Sequence, residues 1–300
     1  MTDDNLESRI CKMKKEVIER LQSINIQTTK VDSWDNYDYL KKQLSQVNTE
    51  IILPKLVRNV DFIIRIGKNG KLVLTPGTEL IFPRTCEPSI YCEGSLIAEG
   101  ALNDKIIFTG HKWGGINIQN SPATSIKYCN INNTVGDSTH GGGIVANKSK
   151  IQILNCDIFN NYSPSMGGGI LINNSEYVTI NNNKIYENNA QHGGGIAIRN
   201  SRINFDNNDI YNNRSLNAAG GIYIRESNIY GNDNNIRYNQ SVQGGGITIM
   251  DRSRFIGRNN RVTKNITTYI GPNRLFTTVS RDIGSYTDCI EEDNTILNHK

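Results

Sequence analysis

The chain has 300 residues, of which 37% are hydrophobic, and its 33 basic and 29 acidic side chains leave a formal net charge of +4. A charge this small gives no reason to expect a nucleic-acid partner. No run approaches the ~18 apolar residues of a membrane helix, so no membrane span is expected.

The cysteines and the N-terminus bear on the cellular compartment. The six cysteines form neither a CxxC pair nor a cysteine–histidine zinc pattern, and the polar start MTDDNLESRI does not resemble a signal peptide. We therefore expect a cytoplasmic protein with reduced thiols. Export without a cleaved signal, or assembly into a virion, would also be compatible with these features.

Residues 1–48 differ in character from the rest of the chain and predict two helices. The first carries apolar residues at helical steps of three and four: Leu6, Ile10, Met13, Val17 and Leu21. The second is predicted to begin at Ser33, a good N-cap residue. We expect this segment to cover the open end of the repetitive region that follows, and oligomerisation or partner binding through its helices is the alternative.

Residues 49–112 contain short alternating apolar segments such as KLVL at 71–74 and ELIF at 79–82, which predict strands. From residue 141 the alternation becomes a regular repeat. The motif GGGI stands at 141–144, 167–170, 193–196 and 244–247, and AGGI stands at 219–222. The isoleucines that end these motifs are spaced by 26, 26, 26 and 25 residues. A fixed period of this size is typical of a solenoid.

A second motif, N-x-[IV]-x-x-N, has the same period and lies midway between the glycines. Its first asparagines predict a column of stacked, buried amides that includes Asn208 and Asn234. Cys156 and Cys129 occupy the same column one and two coils before its first asparagine, Asn183, so the two thiols should face each other. They would then be either a disulfide or, as we favour, two small buried residues. A column of serines has the same register, each five residues after the isoleucine of its coil, beginning with Ile116: Ser121, Ser149, Ser175, Ser201 and Ser227.

The apolar residues within each repeat alternate with a period of two, as in Ile170 and Ile172, which predicts short strands with one face buried. Stacked coils of such strands form a parallel β-helix. The repeat is lost after residue 265, so we place the end of the β-helix near residue 270 and a C-terminal cap and tail at 271–300.

The string Ile185-x-x-Asn188-Asn-Ala-x-x-Gly193-Gly-Gly-Ile196 resembles the paired F-x-x-N and G-G-A-I repeats of polymorphic outer-membrane proteins, with Ile in place of Phe. More broadly, residues 70–265 resemble the pectin-lyase-like superfamily. This resemblance implies an all-β, right-handed parallel β-helix solenoid, here over 49–270, with the short helical segment 1–48 as its cap. It implies no single function, because the superfamily includes lyases, hydrolases, epimerases, adhesins and inert scaffolds.

One candidate ligand-binding surface follows the isoleucines of the second motif. Phe159, Tyr186, Tyr211 and Arg237 each stand one residue after such an isoleucine and should point outward as an aromatic ladder ended by a guanidinium. Exposed aromatic rings of this kind suit sugar rings. The alternative is that stacking between coils only stabilises the solenoid.

A second candidate surface is polar and includes Arg199, Arg225, Glu226 and Asp251. The two carboxylates should lie about one rung apart, an arrangement that suits general acid–base catalysis or a Ca²⁺ ion. The alternative is that these residues are ordinary solvated surface charges. We expect no other metal and no cofactor, because His140 and His192 lie two rungs apart and are too distant to share an ion.

These features favour a non-catalytic β-helix that binds or scaffolds, with a carbohydrate as its ligand. The alternative is an enzyme, a polysaccharide lyase or hydrolase that acts on an acidic glycan through Arg225, Glu226 and Asp251. The short, regular connections between residues 141 and 247 count against catalysis, since enzymes on this scaffold usually carry long loops around the cleft.

Overall fold

The computed structural model describes residues 49–85, 87–137 and 141–268, together with the short strands Gln27–Lys30, Thr278–Ser280, Cys289–Glu292 and Thr295–Ile296. Both predicted N-terminal helices lie outside the described residues. So does most of 271–300, and the boundaries at 48 and 270 stay predictions. Every regular element in the described part is a β-strand. No helix found there is long and apolar enough to cross a membrane.

The strands form a right-handed parallel β-helix, in which the chain visits the same sheets in the same order on each turn. We name the sheets A to D in the order of one coil. Sheet A follows the glycine motif and has nine strands: Ile64–Ile66, Ile90–Cys92, Ile116–Gln119, Ile144–Asn147, Ile170–Asn173, Ile196–Arg199, Ile222–Arg225, Ile247–Met250 and Thr278–Ser280. Sheet B has ten: Gln27–Lys30, Thr49–Leu53, Lys71–Leu74, Ser95–Glu99, Thr124–Lys127, Ile151–Leu154, Val178–Asn181, Arg202–Asn204, Asn228–Tyr230 and Arg254–Ile256.

Sheet C also has ten strands: Val57–Asn59, Glu79–Phe82, Ile106–Gly110, Cys129–Asn132, Asp157–Phe159, Lys184–Tyr186, Asp209–Tyr211, Asn235–Arg237, Asn260–Thr263 and Cys289–Glu292. Sheet D has five: Asn189–His192, Arg214–Ala218, Gln240–Ser241, Ile266–Thr267 and Thr295–Ile296. The last strand of sheets A, C and D lies beyond residue 270, so the same three sheets continue where the sequence repeat is no longer visible.

The register confirms the repeat that the sequence predicts. Ile144 pairs with Ile170, and the pairing continues in step through Ile196, Ile222 and Ile247. Coils of nearly equal length return each residue to the same position around the solenoid axis, so identical residues stack on one another. The inward isoleucines of sheets A, B and C thereby form one continuous core, in which they are almost completely buried.

Sheet A departs from the prediction that only one face of each strand is buried. The residues that alternate with its isoleucines, such as Val145, Leu171 and Tyr223, are also buried. They form a second apolar cluster with Ala218, which ends a strand of sheet D, and with Ala219, which follows it and precedes the glycines. The segment around Ala218 and Ala219 therefore lies over sheet A and shields its outer face from water.

Two columns of asparagines hold the turns between the sheets. In the column between sheets B and C, each side-chain oxygen accepts hydrogen bonds from the asparagine one coil earlier, as Asn234 does from Asn208 at 2.9 Å (backbone N) and 3.0 Å (Nδ2). Both residues are 1% exposed, which confirms that they are buried ladder members. A parallel column after sheet C runs from Asn161 to Asn265.

The two cysteines of the first column are free thiols and both are buried. The backbone N–H of Cys129 lies 3.4 Å from Cys156 Sγ, so Cys156 takes the acceptor position that asparagine fills in later coils. Burial raises the pKa of the Cys129 thiol well above its ordinary value. This column therefore contributes to packing and hydrogen bonding in its early coils, as a pair of small buried residues would.

The glycine motif is needed where the coils come closest. A Cβ atom at Gly142 would collide with the backbone carbonyl of Gly168 one coil further on. Gly167 and Gly193 adopt φ values of 63° and 62°, which glycine tolerates best. The repeated glycines therefore allow the segment that covers sheet A to pass close to the strands beneath it.

Candidate functional site

The aromatic ladder predicted on sheet C is present. The ring centres of Phe159 and Tyr186 lie 4.9 Å apart at an interplanar angle of 4°, and those of Tyr186 and Tyr211 have the same spacing and angle. The Arg237 guanidinium carbon lies 4.6 Å from the centre of the Tyr211 ring. In-register pairing of the strands places these side chains directly above one another.

Acidic neighbours hold the ladder in place. Arg237 forms a bidentate ion pair with Asp209, with distances of 3.1 Å from Nε to Oδ1 and 2.7 Å from the terminal nitrogen to Oδ2. Partial burial, with a smaller contribution from the Asp157 charge, raises the pKa of the Tyr186 phenol to about 12. The phenol is therefore neutral at physiological pH.

The stacking has a consequence for ligand binding. Both faces of the Tyr186 ring are covered by neighbouring rings, and Tyr211 is covered by Tyr186 on one side and Arg237 on the other. A sugar stacks on the face of an aromatic ring, and these rings present mainly their edges to solvent. The geometry therefore favours the stabilising role of the ladder, and its role in ligand binding stays a prediction.

The polar surface predicted around Arg225 lies where strands of sheet A end. Arg225 Nε is 2.5 Å from Asp251 Oδ2 and 3.8 Å from Glu226 Oε1, so one guanidinium lies beside both carboxylates. Arg199 pairs in register with Arg225 but is exposed, and its guanidinium lies 3.9 Å from Met166 Sδ. The structure thus brings together Arg225, Glu226 and Asp251, the residues predicted for catalysis.

Glu226 and Asp251 are also turn residues. Each has a positive φ, 49° and 52°, at the position that Asn174 and Asn200 occupy in preceding coils. Their backbone geometry is thus the same turn that ends other strands of sheet A. Within the described residues, no group of three or more His, Cys, Asp and Glu side chains could hold a metal ion.

His192 has a structural environment in the same region. It ends a strand of sheet D, its ring centre lies 5.3 Å from that of Tyr223, and burial lowers its pKa. His192 pairs with Met166 of the preceding coil, as the sequence spacing predicts. His140 lies outside the described residues.

A third surface, which the sequence did not indicate, lies on the outer face of sheet B. A groove of about 580 Å³ crosses its strands there. The floor of the groove consists of in-register side chains that point away from the core: Ser125, Gln152, Thr179 and Asn204. A second depression of about 380 Å³ shares Asn204 and continues along the sheet past Tyr230.

Tyr177 is the most exposed aromatic side chain in this groove, with 67% of its surface accessible to solvent. The Lys150 ammonium lies 4.8 Å from its ring centre. Arg202 follows Tyr177 in the next coil, since Val178 pairs with Ile203. The groove thus combines one accessible ring with amide and hydroxyl groups and with cations, the combination that recognises polar ring-shaped ligands.

A one-residue difference in turn length hides the alignment of Lys150, Tyr177 and Arg202 in the sequence. Two residues separate Ser175 from the inward-facing Val178, whereas only Arg202 separates Ser201 from the inward-facing Ile203. Counting from the serine column therefore puts Glu176, rather than Tyr177, in line with Arg202. Counting backwards from the first inward apolar residue of each sheet B strand would have aligned Lys150, Tyr177 and Arg202.

Comparisons with known proteins concern the fold. Residues 114–296 match the family model described as the right handed beta helix region. The chain is similar to the crystal structure of pectate lyase Pel9A, with 11% sequence identity, coverage of 91% of this chain and 78% of that chain, and a TM-score of 0.43. No curated protein matches the chain. Because the family model spans more than half of the sequence, the chain belongs to the right-handed β-helix family.

Proposed function

We propose that this protein is a non-catalytic β-helix that binds a carbohydrate in the groove on sheet B. The observation that carries the proposal is the exposed Tyr177 ring beside a row of hydrogen-bonding side chains. Sugars present C–H groups on one face and hydroxyls at their edges, so they bind where an aromatic ring meets amides and hydroxyls. Gln152, Thr179 and Asn204 supply such groups at intervals of one rung, about 4.8 Å.

The groove is a better candidate than the aromatic ladder of sheet C. Stacking of Phe159, Tyr186 and Tyr211 on one another occupies the ring faces that a sugar would need. Tyr177 has no aromatic neighbour in a stacked arrangement within the described residues, and the ammonium beside it belongs to a flexible, exposed lysine. A ligand can therefore reach the ring by displacing the exposed Lys150 side chain, without separating two stacked rings.

The test is a glycan array followed by calorimetric titration of the oligosaccharides that bind. Tyr177→Ala should reduce affinity by about tenfold, because an aromatic contact of this kind contributes on the order of 1 kcal/mol or more. The control is Tyr162→Ala, which removes a partly exposed tyrosine between the strands of sheets C and D. Equal effects of the two substitutions, or no binding of any oligosaccharide by the unaltered protein, would contradict the proposal.

The enzyme alternative is supported by the contact of Arg225 with both Glu226 and Asp251. As a lyase or hydrolase, the protein would use these carboxylates on an acidic polysaccharide, with or without Ca²⁺. Glu226→Gln and Asp251→Asn separate binding from chemistry. Loss of turnover with retained binding in either variant would favour the enzyme, whereas the absence of turnover by the unaltered protein favours the binding role.

A further inference from the structure

Sheet B carries a column of cations, of which Lys150 and Arg202 line the groove. Lys150, Tyr177, Arg202, Asn228 and Arg254 stand in register on five successive coils, each one residue before or at the start of its strand. Charged and uncharged side chains alternate in this column, so the cations recur every second rung. With rungs ~4.8 Å apart, this places a positive charge about every 10 Å along the solenoid axis.

The three cations of this column lack acidic partners. Several other basic side chains of the described solenoid do pair with carboxylates within 4 Å, as in Lys55–Asp104, Lys71–Glu50, Lys105–Asp157, Lys127–Glu99, Arg225–Asp251 and Arg237–Asp209. Lys150, Arg202 and Arg254 are exposed and form no ion pair among the residues that the structure describes. Their charge is therefore available to an external anion.

Three acidic residues lie near the column, and two of them interact with neighbouring side chains. Glu99 lies 2.9 Å from Lys127 Nζ and accepts a hydrogen bond from Ser125, which together lower its pKa. Asp206 accepts hydrogen bonds from the backbone and side chain of Asn232. Glu176 is exposed on the groove rim beside Tyr177 and has no cationic partner in the described ranges. Its charge is expected to oppose an anionic ligand there.

We infer that the ligand of this groove is a linear acidic polysaccharide with one negative charge per disaccharide, lying along the solenoid axis. This inference rests on the proposed function and adds the charge and repeat length of the ligand. A disaccharide in an extended chain is about as long as two rungs, so successive carboxylates or sulfates meet Lys150, Arg202 and Arg254. The intervening sugars then face Tyr177 and Asn228, which offer a ring and an amide.

Charge complementarity and groove shape together favour this ligand over a nucleic acid. A polynucleotide carries a phosphate on every residue and needs several stacking rings, whereas the cations here are separated and the rim holds one exposed ring between them. The floor of amide and hydroxyl side chains, Gln152, Thr179 and Asn204, matches the hydroxyls of sugars.

The experiment compares oligosaccharides of equal length and different charge. Hyaluronan oligosaccharide carries one carboxylate per disaccharide, and its carboxyl-reduced form, otherwise the same chain, carries none. Oligogalacturonate, a chain of a different sugar, carries one carboxylate per sugar. We expect the hyaluronan oligosaccharide to bind most tightly and its affinity to fall with rising salt concentration. Lys150→Gln, Arg202→Gln and Arg254→Gln should each weaken this binding roughly threefold to fivefold, and Glu176→Gln should strengthen it.

Arg214→Gln is the matched control, because it removes another exposed arginine, from sheet D and away from the groove. Equal binding of the carboxyl-reduced oligosaccharide would overturn the charge inference while leaving carbohydrate binding intact. Tighter binding of oligogalacturonate, or of a single-stranded oligonucleotide, would overturn the inferred spacing or ligand class. An effect of Arg214→Gln as large as those of the groove variants would show that net charge, rather than the column, attracts the ligand.

Discussion

Replacement of Asn208 by leucine tests the energetic role of the asparagine ladder. The Asn208 Nδ2 group donates to the Ile180 carbonyl at 2.8 Å and to Asn234 Oδ1 at 3.0 Å. Its Oδ1 accepts from the backbone N and Nδ2 of Asn183 at 3.1 and 3.0 Å. After the substitution, Asn183 Nδ2 keeps its bond to the Ile153 carbonyl, but the backbone N–H of Asn183 has no acceptor left.

A buried donor without an acceptor costs about 1–3 kcal/mol, and the partly unpaired Asn183 amide adds to this. We therefore expect the free energy of unfolding to fall by about 2–4 kcal/mol in Asn208→Leu, measured by urea denaturation followed by circular dichroism. Asn204→Leu is the control, since Asn204 lies in the same coil but is exposed on the outer face of sheet B. Equal denaturation midpoints for Asn208→Leu and the unaltered protein would refute the reasoning.

Two further predictions concern the turns and the ladder. Glu226→Asn should raise the free energy of unfolding by about 1 kcal/mol, because asparagine tolerates the positive φ of this turn better than glutamate does. Asn200→Glu should lower the free energy of unfolding for the same reason, measured in the same denaturation assay. The raised pKa of Tyr186, about 12 against an ordinary 10.0, means that its contribution to stability is complete below pH 10 and is lost as the pH rises towards 12. Tyr186→Phe should reduce this loss, and identical pH dependence of melting temperature in both proteins would contradict the assignment.

Much of the fold follows from the sequence because the repeat has a nearly constant length. A coil of fixed length returns each residue to the same angle around the axis, so Asn183, Asn208 and Asn234 must stack, as must Phe159, Tyr186 and Tyr211. The ladders, the register of the isoleucines and the contact between the Arg225 and Asp251 surface residues were therefore predictable without coordinates.

The exposure of each face could not be predicted in the same way. Alternation of apolar and other residues is compatible with a strand whose outer side is open to water. On sheet A the segment around Ala218 and Ala219 covers Leu171 and Tyr223, and only the tertiary structure shows this contact. Whether an aromatic ring presents its face or its edge to solvent also depends on its neighbours in adjacent coils. The sequence predicted that the rings of the ladder point outward, but it did not show that they cover each other's faces.

The chain by itself thus determined the β-helix, since a constant repeat and period-two strands permit little else. The tertiary structure alone decided where a ligand can approach. The segment that follows sheet D covers sheet A, and stacking closes the ring faces of the ladder on sheet C. No residue that the structure describes covers the groove on sheet B. The turn from Ser175 to Val178 is one residue longer than the corresponding turns in neighbouring coils. Strand pairing follows the buried residues and not the count along the chain, so Tyr177 comes into line with Lys150 and Arg202 only in the folded structure.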